Sequence, residues 1–149
     1  MAIEYRLTTA GSTPLREVAA RAFPDPAETP DGTSGLLVAD LHDRYGFGVT
    51  IYAGENGYIE AESDGSRWEW EPAQFVSTTF RMGKEIDLER ALTAMLHAVK
   101  RLLDSGAEDV ALDLNGNWLL LTRVNGVITK HKRDGWWEVH GVVDPIIPV

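Results

Sequence analysis

The stretch Asp87–Asp104, DLERALTAMLHAVKRLLD, decides the fold. Leu88, Leu92, Met95, Leu96, Val99, Leu102 and Leu103 recur at steps of three and four, which lays one apolar stripe along a helix. Glu89, Arg90, Thr93, His97, Lys100 and Arg101 fall on the other side. Asp87 is placed to cap the first free backbone N–H groups, and Ser105-Gly106 reads as a left-handed stop. Lys100 and Arg101 lie in the last turn, where the helix dipole favours cations. A stripe this long needs a second layer. The expected fold is α+β, with antiparallel meander sheets packed against this one long helix.

Upstream, Ala2 to Thr9 alternates Ile3, Tyr5 and Leu7 with Glu4, Arg6 and Thr8, the pattern of a half-buried strand. Thr13-Pro14 opens a second, short helix near the amino terminus, with Thr13 as cap and an apolar edge of Leu15, Val18, Ala19, Ala22 and Phe23. Pro24 to Gly35 reads as an exposed loop within one domain of residues 1–149. Strands are expected over 36–41 and 47–53, and the Asn56-Gly57 and Asp64-Gly65 turns predict a meander of 47–55, 58–63 and 66–71. Phe75 to Met82 is a further strand after Pro72. Beyond the helix, Asn115-Gly116 and Asn125-Gly126 predict a second meander of 109–114, 117–124 and 127–131, followed by an irregular tail packed through Trp136-Trp137.

Two-residue turns fix register. In the second meander Leu112 then faces Leu119 and Val110 faces Leu121, with Ile128 beside Arg123, as the seat of the helix. Trp118 and Leu120 point to the opposite side, where the tail tryptophans are expected to cover them. In the first meander Tyr52, Ile59, Ala61, Trp68 and Trp70 share one face. Glu60 opposes Glu69, and Glu62 opposes Arg67, on the other. Residues 54–72 hold six acids, namely Glu55, Glu60, Glu62, Asp64, Glu69 and Glu71, against the single base Arg67. A solvated face ordinarily mixes signs; this one does not.

Net charge is −9, which disfavours nucleic-acid binding through phosphates and suits a basic protein partner, solubility alone being the alternative. The chain has no cysteine, hence no disulfide frame, thiolate nucleophile or cysteine-based zinc site. His42, His97, His131 and His140 show no metal spacing, so neither metal nor cofactor is expected. Glu60 and Glu69 would stand near the ~5 Å spacing of a retaining glycosidase, but that reaction needs a cleft and a shielded acid rather than an open sheet face. Ser63, Ser66 and Ser77 lack a nucleophile elbow. Lys130, Lys132 and Arg133 are read as partners of the acidic surplus. A charged amino terminus and the lack of a ~20-residue apolar run give the expectation of a cytoplasmic protein without a membrane partner.

Several segments resemble a bacterial immunity-protein family, the antidotes of swarming-inhibition (Sit-type) toxins of polymorphic toxin systems. They are Met1-Ala2-Ile3-Glu4-Tyr5, Tyr45-Gly46-Phe47, the run Val76 to Lys84, the helix Leu92 to Leu103, and Trp118-Leu119-Leu120-Leu121. The resemblance implies a shared fold and a non-enzymatic antidote that binds and blocks one toxin domain. Glu55, Glu60, Glu62, Asp64, Glu69 and Glu71 are the candidate partner-binding residues, for a basic toxin surface. Two other readings stand beside it: a small-molecule hydrolase or sensor with a tryptophan-lined pocket between sheet and helix, and a general protein-interaction module.

Overall fold

Ile3–Ala10 (β1) runs through the middle of the molecule, antiparallel to Gln74–Met82 (β7) on one side and Val110–Leu114 (β8) on the other. The computed structural model describes residues 2–149. Beyond β7 come Phe47–Glu55 (β4), Leu36–Leu41 (β3) and the short edge strand Asp31–Thr33 (β2); beyond β8 comes Trp118–Val124 (β9). The outer edge of β9 is shared. Its amino end pairs with Ile59–Ser63 (β5), which carries Ser66–Trp70 (β6), and its carboxyl end pairs with Val127–Lys130 (β10). All pairs are antiparallel except β5 with β9, which meet in parallel at Glu62 and Trp118. The class is α+β, but the expected pair of antiparallel meanders is replaced by one mixed sheet of ten strands.

Leu15–Ala22 (α1) and Leu88–Asp104 (α3) lie on one side of this sheet, and His42–Tyr45 (α2) is a single turn joining β3 to β4. The apolar stripe of α3 is buried as its spacing requires, with Leu92, Met95, Leu96 and Val99 all at 0% exposure. Asp87 caps it by accepting from the Arg90 N–H. The helix-side face of the sheet presents a continuous row, Leu37, Ile51, Thr78, Leu7, Leu112 and Leu121, set side by side by the strand registers.

Local expectations differ from the structure where tertiary contacts outweigh turn chemistry. Asn56-Gly57 is not a hairpin. Asn56 N–H donates to the Ala73 carbonyl and Gly57 N–H to the Pro72 carbonyl, so β4 stays zipped to β7 to its end and the chain leaves to build β5–β6 elsewhere. Gly57 serves close approach instead, since a Cβ there would meet Phe75 at 2.9 Å. Tyr52 therefore does not join Trp68; it stands beside Ser77. The Asn115-Gly116 turn carries one residue more, Asn117, and a bulge at Leu120 makes Leu112 face Leu121 rather than Leu119. Gly116 N–H donates to the Asp113 carboxylate and Asn115 N–H to the Glu4 carbonyl, bonds that fix this longer loop. The Asp64-Gly65 and Asn125-Gly126 turns are two-residue hairpins, with positive φ at both central residues of each.

The loop expected over 24–35 contains β2, because Ser34-Gly35 turns it back on β3. Thr13 does not cap α1; its hydroxyl donates to Glu108 instead. Nor does α3 end in a left-handed residue, since Ser105 has φ −100°. Its last carbonyls are taken by arginines, Arg21 on Leu102 and Arg123 on Leu103. Trp136 and Trp137 pack on the helix side with Tyr5, not on the far side of the sheet. Trp137 Nε1 donates to the carbonyl of the bulged Leu120, and Trp136 Nε1 to the Tyr5 hydroxyl.

Candidate functional site

The far side of the sheet is covered over only part of its width. Alternate residues of β5 and β6 face opposite ways, so Ala61, Trp68 and Trp70 turn inward against Ala111 and Leu119. The same alternation sends Glu60, Glu62 and Glu69 outward. Their register is as the turn predicts, Glu60 opposite Glu69 and Glu62 opposite Arg67. Like charges facing across two strands cost roughly 0.2–1 kcal/mol, and here an ion pair from Arg67 to Glu60 offsets that. The Tyr58 hydroxyl also donates to Glu60 at 2.8 Å.

A second cation reaches this face that strand spacing alone does not reveal. Lys132, held at φ 59°, pairs with Glu62 at 2.9 Å and lies 4.8 Å from the centre of the Trp118 ring. Its backbone N–H donates to Asp64 at 2.9 Å, which ties the turn of β5–β6 to the strap following β10. Glu60, Glu62, Arg67, Asn117 and Trp118 thus line an open cleft between the hairpin and the 115–118 turn, with a volume of about 670 Å³. Glu69 and Glu71 are exposed and have no ion-pair partner among the described residues. Glu55 is separated from this group: it ends β4 opposite Gln74 and lines a notch with Thr13, Pro14 and Leu15. The structure therefore brings together Glu60, Glu62, Asp64 and Glu69, follows them with Glu71, and leaves Glu55 apart.

His131 is the residue that spacing gave no reason to single out. It follows β10 and lies between two hydroxyls, with Ser63 Oγ at 2.8 Å from Nδ1 and Thr122 Oγ1 at 3.0 Å from Nε2. Burial lowers its pKa while Asp64, 3.9 Å away, pulls the other way. Both ring nitrogens are engaged, so the group clamps β5 to β9 and the strap. Two of the three cations of the basic run are paired as expected, Lys130 with Asp144 at 2.6 Å and Lys132 with Glu62, whereas Arg133 donates to the Val149 carbonyl oxygen instead.

Trp68, Trp70, Trp136 and Trp137 are packed, and Trp118 lines the open cleft beside the hairpin rather than a cavity between sheet and helix. Trp136 and Trp137 are each 2% exposed in the core, and Trp68 and Trp70 rest on the opposite side of the sheet. Among the described residues no helix is long and apolar enough to cross a membrane.

No curated protein and no solved structure matches the chain. The model of the SitI3-like family matches residues 3–141, from the central strand through the strap to the tail, and the chain belongs to that family.

Proposed function

We propose that this chain is an immunity protein, acting in the cytoplasm as one domain of residues 1–149, that binds a cognate bacterial toxin domain and blocks it without catalysis. Membership of the SitI3-like family supports the reading, because the antidotes of Sit-type toxins are what the sequence resembles. The observation that carries it to a surface is the outward face of the β5–β6 hairpin, where Glu69 and Glu71 stay exposed and unmatched beside Glu60 and Glu62. The hairpin is tied down from behind by Trp68 and Trp70, so its charges are presented on a fixed frame rather than a mobile loop. A basic toxin surface is the complementary partner. A surplus of negative charge of this kind speeds encounter and makes it sensitive to salt.

The test uses a toxic domain encoded beside this chain's own gene, where an immunity protein's cognate toxin is expected. Wild-type protein is expected to protect cells that express the domain and to bind it in solution. Glu69→Lys with Glu71→Lys should slow association on the order of tenfold at low ionic strength, a gap that closes as salt rises. Unchanged association in the double variant would show that the hairpin charge serves solubility alone.

A further inference from the structure

Among the described residues, nothing lies over one part of the far side of the sheet. The row Leu36, Tyr52, Ser77, Thr8, Ala111 and Thr122 crosses six strands, each residue beside the next by register. Its exposure falls abruptly along that row: Leu36 is 45% and Tyr52 41% exposed, whereas Ser77, Thr8 and Ala111 are 1%, 2% and 0%. The β5–β6 hairpin shelters the second half and stops short of the first. Val38, on the next row, is 52% exposed, and Tyr58, where the chain enters β5, is 54% exposed. Contiguous exposed apolar side chains on a monomer mark a contact surface.

At the border between the covered and bare halves lies a small cavity of about 60 Å³, lined by Tyr52, Tyr58, Phe75 and Ser77 among others. The Phe75 ring rests edge-on to Tyr52 at 6.1 Å and sits over Gly54 and Gly57, where any Cβ would collide with it. The Ser77 hydroxyl at its floor is fully buried and has no hydrogen-bond partner among the described residues. A buried hydroxyl left unpaired is unfavourable, so a site that completes it gains affinity when occupied.

We propose that this bare face, centred on Tyr52 with Leu36, Val38 and Tyr58 around it, is the apolar centre of the toxin-docking surface, and that the acidic hairpin is its rim. The inference rests on the immunity reading above and gives it a location. Aromatic and aliphatic anchors in the middle with charge at the edge is how stable interfaces are built, and tyrosine is prominent among their dominant residues. Tyr58 joins the two parts, lining the cavity and donating to Glu60. The charge also chooses the occupant: a second copy of this chain would bring −9 against −9, whereas a basic domain complements it. A polar side chain of the toxin enters between Tyr52, Tyr58 and Phe75 and completes Ser77.

The experiment measures binding of the neighbouring toxin domain to Val38→Arg, Tyr52→Ala and Ser77→Ala. Val139→Arg, on the exposed tail, is the control. Val38→Arg is an exposed change whose thermal melt should match wild type, and Tyr52→Ala, which gives up only the packing on Phe75, should melt slightly lower, while Kd rises at least about tenfold for both. Ser77→Ala should melt higher than wild type, having lost an unpaired hydroxyl, and still bind more weakly. Wild-type affinity in all three variants overturns the proposal while the immunity reading stands; failure of the wild type itself to bind overturns that reading instead. Sedimentation should show a monomer. A dimer abolished by Val38→Arg would make a second copy the occupant and overturn the proposal.

Discussion

At Glu108 two nitrogens of Arg21 meet two carboxylate oxygens at 2.5 and 2.9 Å, and the Thr13 hydroxyl adds a third contact. The bonds from Arg21 outweigh the burial that opposes them and hold the Glu108 carboxyl down at about 2, against an ordinary 4.5. The stabilisation is therefore complete above pH 4.5 and is lost as pH falls toward 2. At neutral pH it amounts to about 3 kcal/mol, the side chain being mostly out of water. Glu108→Gln should cost roughly 2–3 kcal/mol in urea melts at pH 7, and less than half of that at pH 3. An equal loss at both pH values would mean that the carboxylate charge is not what matters. Asp113 has the opposite sign. Burial pushes its pKa up, against Arg6 and the Gly116 N–H, so its share of stability is lost as pH rises. Lowering the pH thus removes support at Glu108 and relieves a charge at Asp113.

At the scale of elements, α3 depends on its buried stripe. Leu96→Ala should cost roughly 2–5 kcal/mol, because the site is fully enclosed and cannot close over the missing atoms. A change under half a kcal/mol in denaturant melts would mean that the cavity collapses. The β5–β6 hairpin is a separate attachment: it holds to β9 by one parallel bridge and the His131 clamp, to the strap through Lys132, and to the sheet through Ala61, Trp68 and Trp70. Trp68→Ala should loosen the hairpin without unfolding the rest. Amides of residues 59–70 should exchange about tenfold faster while those of α3 keep their protection. Equal acceleration in both elements would show that hairpin and core unfold as one unit.

Over the whole molecule, a net charge of −9 on 149 residues sets a self-repulsion that ion pairs relieve only locally. Salt screens that long-range repulsion more than it weakens the enclosed Arg21–Glu108 and Arg6–Asp113 contacts. Raising salt from low to about 0.5 M should therefore lift Tm on the order of 2 °C, equivalent to about 1 kcal/mol or less. A fall in Tm would mean that attractive pairs dominate. The same salt should slow toxin association, so stability and encounter rate are expected to move in opposite directions.

The sequence by itself determined the elements whose signals are local. The three- and four-step spacing of Leu92, Met95, Leu96, Val99 and Leu103 forces a helix with one buried side, and Asp64-Gly65 forces the register that puts Glu60 opposite Glu69. Asn125-Gly126 did the same for β9 and β10. Which strands become neighbours was decided only by the tertiary structure. Asn56-Gly57 carries a hairpin signal, yet β4 lies between β3 and β7, where Phe47, Val49 and Ile51 are buried under the helices. That burial, worth roughly 1.5–3 kcal/mol for each large side chain, exceeds anything a two-residue turn contributes. The carboxylates of the candidate site were legible because strand alternation is a local rule. Lys132 over Trp118, His131 between Ser63 and Thr122, and the bare face at Tyr52 were not, because each joins segments distant in the chain. No periodicity records which distant segment will arrive to cover a surface, or stop short of it.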